Sequence, residues 1–519
     1  MGDTLEKRLV ALEDQGVALI DDALTGLEKE SLRVGGDGLL AATPHPAALG
    51  SALANAYITT DFSEALLEFV TPAYASPTEV LECLADVHAF TARHLGEERL
   101  WNASMPCRLE PGREIPLARY GQSNVAQMKT TYRRGLGHRY GREMQTIAGV
   151  HFNFSMPESF WPVYQQLLGD TGDLDAFRSE SYLALARNFR RIGWLSLYLF
   201  GASPAVDRSF FGGRETSLSG WDETTLYEPH ATSLRMSDLG YNSSAQSRLQ
   251  ISLDNLDRYI AGLTAAIMTP HEAYTRIGVR EKDKWLQLND SLLQIENEYY
   301  SSIRPKQVAR SGERPTLALA RRGVAYVEVR ALDVDPFSPV GINLEQVRFM
   351  QALLVYCLLA DSPLLDAAAL DRHDANHVLV AHSGRKPGLE LDDGGNPRGL
   401  RDWADEILEG VEAVANVIDG DDGGYTQACQ AQRVRLDDAA QTPSARLLDA
   451  MHNAGLGFHD YMMAQSRAQT DWLAEQAIKP SRLDALEREA RASLARQREL
   501  DEASSPSFES YLDAYFHAT

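Results

Sequence analysis

The stretch from Ala325 to Asp335, A-Y-V-E-V-R-A-L-D-V-D, places an acid, Glu328, two residues from a base, Arg330. Such a pair could take part in catalysis. Side chains alternate between the two faces of a β-strand, so Val327 and Val329 point to one face while Glu328 and Arg330 point to the other. One face therefore belongs to a core and the other carries both charges. Two alternatives stay open for this stretch alone: an ion pair on a solvated sheet face, or a charged pair that acts on a substrate.

Further carboxylates lie in short apolar stretches near the N-terminus. Glu28 and Glu30 lie in L-E-K-E-S-L, and the following G-G-D-G turn predicts a β-hairpin with both acids on one face. Alternatively, Thr25 and Glu28 form a helix capping box that leaves both glutamates in solvent. Asp61 and Glu68 lie in D-F-S-E-A-L-L-E-F, which suits either a helix with acids facing water or a strand. Either structure places acids beside apolar residues.

Three other segments carry polar groups of chemical interest. His151 and Asn153 alternate with apolar residues in V-H-F-N-F-S, which predicts a half-buried strand, although a lone histidine there is more often a hydrogen-bonded core residue than a ligand. Arg235 lies in the predicted loop A-T-S-L-R-M-S-D-L-G-Y and is either a fork for a carboxylate or a surface arginine. Residues 293–306 predict an acid-rich strand that runs into a basic turn.

Taken together, these residues favour divalent cations and phosphate chemistry. Several carboxylates cannot share one cavity without mutual repulsion unless cations neutralise them. Carboxylates with one imidazole suit Mg²⁺ or Mn²⁺. The sequence lacks the P-loop and dinucleotide-binding motifs, and also the H-E-x-x-H and G-x-S-x-G motifs. Divalent ions and arginines without a P-loop point to phosphate chemistry on an open sheet.

The whole chain has the composition of a globular protein and a strong surplus of acids. Its 519 residues carry a formal net charge of -23, which argues against a nucleic-acid partner because phosphates require a basic surface. The four cysteines form no C-x-x-C pair, and no apolar run approaches the length of a membrane span. We therefore expect a cytoplasmic protein with no membrane partner. The sequence does not reveal an oligomeric state, and a monomer is the default hypothesis.

Longer blocks of sequence carry a resemblance to a known family. The blocks are G-L-E-K-E-S-L-R-V, T-T-D-F-S-E-A-L-L-E-F, G-V-H-F-N-F-S, A-T-S-L-R-M-S-D-L-G-Y, L-Q-I-E-N-E and Y-V-E-V-R-A-L-D, and G-R-K-P-G at 384–388 continues the series. In order and spacing they resemble the proteobacterial type of glutamate-cysteine ligase from about Glu28 to Gly341. The resemblance implies an α+β fold similar to that of glutamine synthetase, with a curved antiparallel sheet that forms an active-site funnel surrounded by α-helices. Residues 1–345 are then expected to form the catalytic core, and residues 346–519 a mainly helical part packed on the same unit.

The resemblance implies a reaction that begins glutathione synthesis. ATP drives the ligation of the L-glutamate γ-carboxylate to the amino group of L-cysteine through a γ-glutamyl phosphate, giving γ-glutamylcysteine, ADP and phosphate. The chemistry is coherent, since a carboxylate is a poor acyl donor until it is phosphorylated. L-glutamate, L-cysteine and ATP are then the small-molecule partners, with Mg²⁺, or alternatively Mn²⁺, as the metal.

The same resemblance implies roles for individual residues. Arg330, beside Glu328, would lie over the transferring phosphoryl group, and Arg235 would hold the α-carboxylate of glutamate. Asn153 would touch the nucleotide. The remaining implied residues are the metal ligands Glu28, Glu30, Asp61, Glu68, His151 and Glu328, and the cysteine pocket Tyr132, Gln145, Tyr241 and Tyr300.

Two other functions remain alternatives. A related carboxylate-amine ligase would keep the metal and phosphate residues but join glutamate to a different amine, and the difference would show in the pocket tyrosines. A noncatalytic relative that binds glutamate or nucleotide should have lost Glu28, Glu68, Glu328 or Arg330. This chain retains all four.

Overall fold

The structure is a computed structural model that describes residues 2–110, 112–239, 249–310, 312–419 and 423–518. In these ranges the protein mixes helices with antiparallel sheets, as the α+β prediction requires. None of the helices in the described ranges has the length and apolar character needed to cross a bilayer.

A seven-stranded antiparallel sheet forms the centre of the fold. Six of its strands lie in the order β11-β12-β5-β1-β3-β2, and β4 pairs with the C-terminal end of β1. Three smaller sheets, of two or three strands each, lie outside it. The strands of all four sheets are β1 Leu24–Val34, β2 Ile58–Thr60, β3 Leu66–Val70, β4 Arg99–Trp101, β5 Val150–Ser155, β6 Ala205–Asp207, β7 Ser219–Gly220, β8 Thr225–Tyr227, β9 Arg280–Glu281, β10 Lys284–Trp285, β11 Ile303–Lys306, β12 Tyr326–Leu332, β13 Glu390–Asp393 and β14 Asn396–Gly399.

The register of the central sheet gathers the polar residues on one face. Glu28 on β1 pairs with His151 on β5, and Glu30 pairs with Glu68 on β3. Glu328 on β12 pairs with Asn153 on β5. Directly paired residues point to the same face of a sheet, so four separate stretches of sequence meet there. The strand alternatives at β1 and β3 are thereby confirmed, and the helical ones are excluded.

Helices cover the opposite, apolar face of the sheet and its ends. The alternate residues Leu27, Phe152 and Val329 are fully buried in the main core. The helices are α1 Gly2–Asp14, α2 Pro77–Ala92, α3 Asn124–Tyr140, α4 Phe160–Leu167, α5 Leu174–Ile192, α6 Trp194–Phe200, α7 Leu256–Met268, α8 Glu272–Ile277, α9 Pro315–Arg322, α10 Leu344–Leu359, α11 Ala367–Ser383, α12 Leu400–Asp419, α13 Gly424–Asp437, α14 Pro443–Ala454, α15 Phe458–Glu475, α16 Pro480–Glu502 and α17 Phe508–His517.

One strand prediction is wrong, because residues 293–301 do not pair with the sheet, and of Ser302 only the carbonyl accepts a bond from β12, from Arg330 N–H at 2.8 Å. Only β11, at 303–306, is a strand, and Glu296–Glu298 is a single 3-10 turn. The acids of this segment turn inward instead: Glu298 accepts the backbone N–H of Gln294 at 2.7 Å and a charged hydrogen bond from Arg139 at 3.0 Å. The buried bond within residues 294–298 and the bond from α3 favour a tight turn over an extended chain.

Candidate active site

A cavity of about 800 Å³ opens over the polar face of the central sheet. It is bounded by β1, β3, β5, β11 and β12 below and by α3 and the chain around residue 235 at its sides. The predicted site residues in its wall are Glu28, Glu30, Asp61, Glu68, Tyr132, Gln145, His151, Arg235, Tyr300, Glu328 and Arg330. The fold therefore brings together residues that are up to about 300 positions apart in sequence.

The first feature of this cavity is a cluster of potential metal ligands. Ligand atoms of Glu28, Glu68 and His151 all lie within 4.8 Å of one another. His151 Nδ1 is 3.1 Å from Glu28 Oε2, and the amide of Asn153 donates to Glu28 Oε1 at 2.9 Å. Burial and the nearby guanidinium of Arg330 lower the pKa of His151, which favours a neutral imidazole able to ligate a metal.

Glu328 lies at the meeting point of three cations. Arg330 Nη1 donates to Glu328 Oε1 at 3.3 Å, and Lys306 Nζ and Arg304 Nη1 lie 3.4 and 3.9 Å from Oε2. Burial alone would raise the pKa of this carboxyl, but Lys306 and Arg330 outweigh it and lower the pKa well below its usual range. Among the described residues, Oε2 accepts no hydrogen bond, so one oxygen of an ionised acid is left for a further ligand.

The acids on the other side of the cluster are in the opposite state. Burial, together with the charge of Asp61, raises the pKa of Glu30 to about 8. Burial and the neighbouring acids Glu28 and Asp61 raise the pKa of Glu68 well above its usual value. Without a cation these carboxyls can share the cavity only by holding protons. The donor set of carboxylates and one neutral imidazole therefore fits a divalent cation such as Mg²⁺ or Mn²⁺.

Arg235 enters the cavity from a 3-10 turn at Leu234–Met236 and is almost fully buried. Its Nη2 donates to the carbonyl of Arg330 at 2.8 Å, and its Nη1 lies 3.7 Å from Asp333 Oδ1. Gly149, immediately before β5, lies against the guanidinium, and a methyl group there would collide with it. The surface-arginine alternative is therefore excluded.

Three of the four residues predicted to form a cysteine pocket line the cavity. Tyr132 and Gln145 lie in the cavity wall, and the Tyr300 hydroxyl donates to Met236 Sδ at 3.1 Å. Tyr241 lies outside the described residues. Asn153 is not part of the wall but lies under Glu28, where it orients a candidate metal ligand.

Sequence reasoning missed several residues of the wall. Lys306 and Arg304 flank Glu328 from β11, and the only signal for them was the basic end of the segment predicted as a strand. Tyr511 and Tyr515 reach the wall from α17, a helix at the far end of the chain, and no pattern linked it to the site.

Comparison with known proteins gives consistent matches over almost the whole chain. The sequence profile of the family described as glutamate-cysteine ligase matches residues 9–380. The chain is 47% identical over 517 residues to a glutamate-cysteine ligase of Pseudomonas putida, covering 99% of this chain and 98% of that protein. It is 48% identical over 521 residues to the glutamate-cysteine ligase of Azotobacter vinelandii, with the same coverage of 99% and 98%.

Two solved structures share the fold of this chain. The crystal structure of a glutamate-cysteine ligase from Francisella tularensis in complex with AMP matches with a TM-score of 0.90 at 37% identity, covering 95% of this chain and 97% of that one. A bifunctional glutathione synthetase from Pasteurella multocida matches with a TM-score of 0.73 at 23% identity, covering 95% of this chain and 58% of that one, a similarity of fold alone.

Proposed function

The chain belongs to the glutamate-cysteine ligase family, and on that premise we propose that the acidic cavity over the central sheet is its active site. The reaction is the ATP-dependent ligation of L-glutamate to L-cysteine, which gives γ-glutamylcysteine, ADP and phosphate. The observation that carries the proposal is the joining of acids, arginines and tyrosines from distant segments in one cavity of about 800 Å³. That volume is in the range of small-molecule sites.

The basic side of the cavity suits the phosphoryl-transfer step. The γ-carboxylate of glutamate attacks the γ-phosphorus of ATP, the bond to ADP breaks, and an acyl phosphate forms. Arg330, Arg304 and Lys306 place three positive charges around Glu328, where charge on the transferring group is stabilised. Because Glu328 is held ionised, it keeps these cations in position.

The acidic side suits the metal. Glu28, Glu30, Asp61, Glu68, His151 and Glu328 would hold Mg²⁺, with Mn²⁺ as the alternative. When bound, the cation neutralises the phosphates and the cluster of acids. Asn153 orients Glu28, and the neutral ring of His151 offers a nitrogen ligand.

The remaining wall suits the two amino acids. Arg235 presents a buried guanidinium that matches the α-carboxylate of glutamate. Tyr132, Gln145 and Tyr300 form a pocket for cysteine, whose amino group displaces the phosphate from the acyl phosphate. Proton removal from that amine has no assigned base. The buried thiols of all four cysteines support a cytoplasmic, reducing location.

The test measures phosphate release from ATP with glutamate and four acceptors: cysteine, 2-aminobutyrate, alanine and putrescine. We expect the fastest release with cysteine. Chelation of divalent cations should abolish the release, and re-addition of Mg²⁺ or Mn²⁺ should restore it. Faster release with another amine would keep the phosphoryl mechanism and change the acceptor. Absence of glutamate-dependent release with every acceptor would support a noncatalytic binding protein instead.

A further inference from the structure

The segment that carries Arg235 is fastened to the C-terminal turn of α11, outside the cavity. The backbone N–H groups of Thr232 and Ser233 both donate to the carbonyl of Ala381, at 2.8 and 3.1 Å. Thr232 Oγ1 donates to the carbonyl of Val380 at 2.9 Å. These contacts join residues about 150 positions apart, and they place α11 directly behind the arginine.

Two side chains of α11 and the loop after it complete the attachment. Arg385 donates to the carbonyl of Pro229 at 2.8 Å and to that of Ala231 at 3.1 Å. His382 lies between two acids, with Nδ1 2.7 Å from Glu228 Oε2 and Nε2 2.7 Å from Asp238 Oδ1. The acids precede and follow Arg235, so the imidazole spans the segment 228–238 from end to end.

The geometry requires a doubly protonated ring. A carboxylate only accepts hydrogen bonds, so His382 can serve both Glu228 and Asp238 only when both ring nitrogens carry a proton. These two acids are the ionisable groups that contact the ring among the described residues, and they raise the pKa of His382 to about 9 although burial opposes them. The neutral ring has one N–H and must release one of the two acids.

We propose that His382 is a positioning residue for the glutamate site: its imidazolium clamps the segment 228–238 and thereby holds the Arg235 guanidinium in place for the substrate α-carboxylate. This inference rests on the role proposed for Arg235. On the inner side, Asp333 lies 3.7 Å from Arg235 and accepts a hydrogen bond from Ser233 at 2.9 Å, so the segment is held on both sides. The G-R-K-P-G block at 384–388 thereby gains a function, since Arg385 belongs to the same attachment.

The test compares steady-state kinetics of His382→Gln and His382→Arg with the unmodified enzyme. His382→Gln loses the charge, and we expect the KM for glutamate to rise about five- to tenfold because the arginine is misplaced, while the KM for ATP stays within twofold. His382→Arg keeps a charge and several donors and should restore most of the affinity. Glu228→Gln removes one of the two charges that hold His382 and should raise the same KM. Glu228 lies outside the cavity wall, so this variant serves as the test if His382→Gln does not fold. His452→Gln, an exposed histidine on α14, is the control.

The pH profile separates clamping from a merely structural role. The charge on His382 is lost as the pH rises through about 9, so the KM for glutamate should rise there in the unmodified enzyme but less in His382→Arg. The substrates titrate in the same way with both enzymes, so the ratio of the two KM values for glutamate isolates the contribution of His382. A constant ratio, or an unchanged KM for glutamate in both His382→Gln and Glu228→Gln, would overturn the clamp.

A parallel variant distinguishes failure of the clamp from failure of the assigned site. Arg235→Lys loses the bidentate fork and should raise the KM for glutamate by about tenfold or more. If it does so while the His382 and Glu228 variants have no effect, only the clamp is wrong. If Arg235→Lys has no effect either, the role proposed for Arg235 is wrong and the clamp with it.

Discussion

At the scale of single residues, acids in the wall of one cavity have opposite protonation because their neighbours differ. Glu328 has Lys306 and Arg330 beside it and stays ionised, whereas Glu30 has Asp61 nearby and holds a proton at neutral pH. The cavity thus separates a permanently charged acid, which holds cations in place, from protonated acids that would ionise on binding the proposed metal.

Replacing Glu328 tests the charged side of the cavity. Glu328→Gln keeps the shape but removes the charge that holds Lys306 and Arg330, and we expect kcat to fall by about a hundredfold or more. Glu64→Gln is a matched control, since Glu64 is equally a buried acid but lies outside the cavity wall. Steady-state phosphate release and thermal unfolding should be measured for both. Equal losses in the two variants would contradict a specific role for Glu328.

The protonated acids predict proton release on metal binding. At pH 7 Glu30, with its pKa of about 8, is mostly protonated, and Mg²⁺ must displace that proton. Calorimetric titration in two buffers of different ionisation enthalpy should show release of about one to two protons, falling as the pH rises above 8 while the apparent affinity increases. Glu30→Gln should release fewer protons. Heats that do not depend on the buffer would contradict the assignment of these acids as metal ligands.

At the scale of elements, close contact between β5 and the 3-10 turn sets the position of Arg235. Gly149 immediately precedes β5. Its N–H donates to Glu30 Oε2 at 2.7 Å, and its α-carbon faces the guanidinium of Arg235. A side chain there would force the arginine away. The missing side chain of one glycine therefore allows Glu30, a proposed metal ligand, and Arg235, the proposed glutamate-binding residue, to lie close together.

Gly149→Ala is the corresponding prediction. The added methyl group overpacks the contact, which costs about 1–3 kcal/mol and should raise the KM for glutamate by about tenfold. Gly36→Ala is the control, because a methyl group at that exposed glycine meets open space. Kinetics should be compared with thermal stability for both variants. An unchanged KM with lowered stability would show that the collision is relieved by moving β5 rather than the arginine.

At the scale of the whole molecule, the C-terminal helices reach back to the catalytic cavity. Asp501 on α16 accepts the backbone N–H groups of Gln122 and Ser123 at 2.7 Å each, which satisfies donors at the start of α3. The next helix, α17, buries Leu512 against Met128 of α3. The division at residue 345 stays a prediction, but these contacts support the view that both parts form one catalytic unit.

Loosening α17 tests that view. Leu512→Ala removes the buried anchor of α17 at a cost of about 2–5 kcal/mol, so we expect cleavage by proteases at the exposed residues 503–507 and a parallel loss of activity. Leu500→Ala, at an exposed leucine on α16, is the matched control. Full activity in a Leu512→Ala protein that is cleaved there would show that Tyr511 and Tyr515 are dispensable in the wall.

The sequence alone identified the family and, through resemblance, the reaction, and it named eleven of the residues that line the cavity. This was achievable because alternation along a strand fixes which side chains share a face, so Glu28 with Glu30 and Glu328 with Arg330 could be paired from local pattern. The roles of the other residues were predicted from the resemblance of long blocks, such as the one around Arg235, to a known family. The wrong strand prediction at 293–301 shows the limit, since Glu298 binds a buried backbone N–H nearby and Arg139 of α3, and no local pattern reveals that contact.

Only the tertiary structure decided which distant groups meet. The register that places Glu28 opposite His151, the cations of β11 around Glu328 and the clamp of His382 on the Arg235 segment all depend on contacts between segments far apart in the chain. Protonation was decided there too, because the pKa of a buried acid follows from the charges packed around it and not from its neighbours in sequence. Local sequence carries the pattern of each element, and packing supplies the electrostatics of the site.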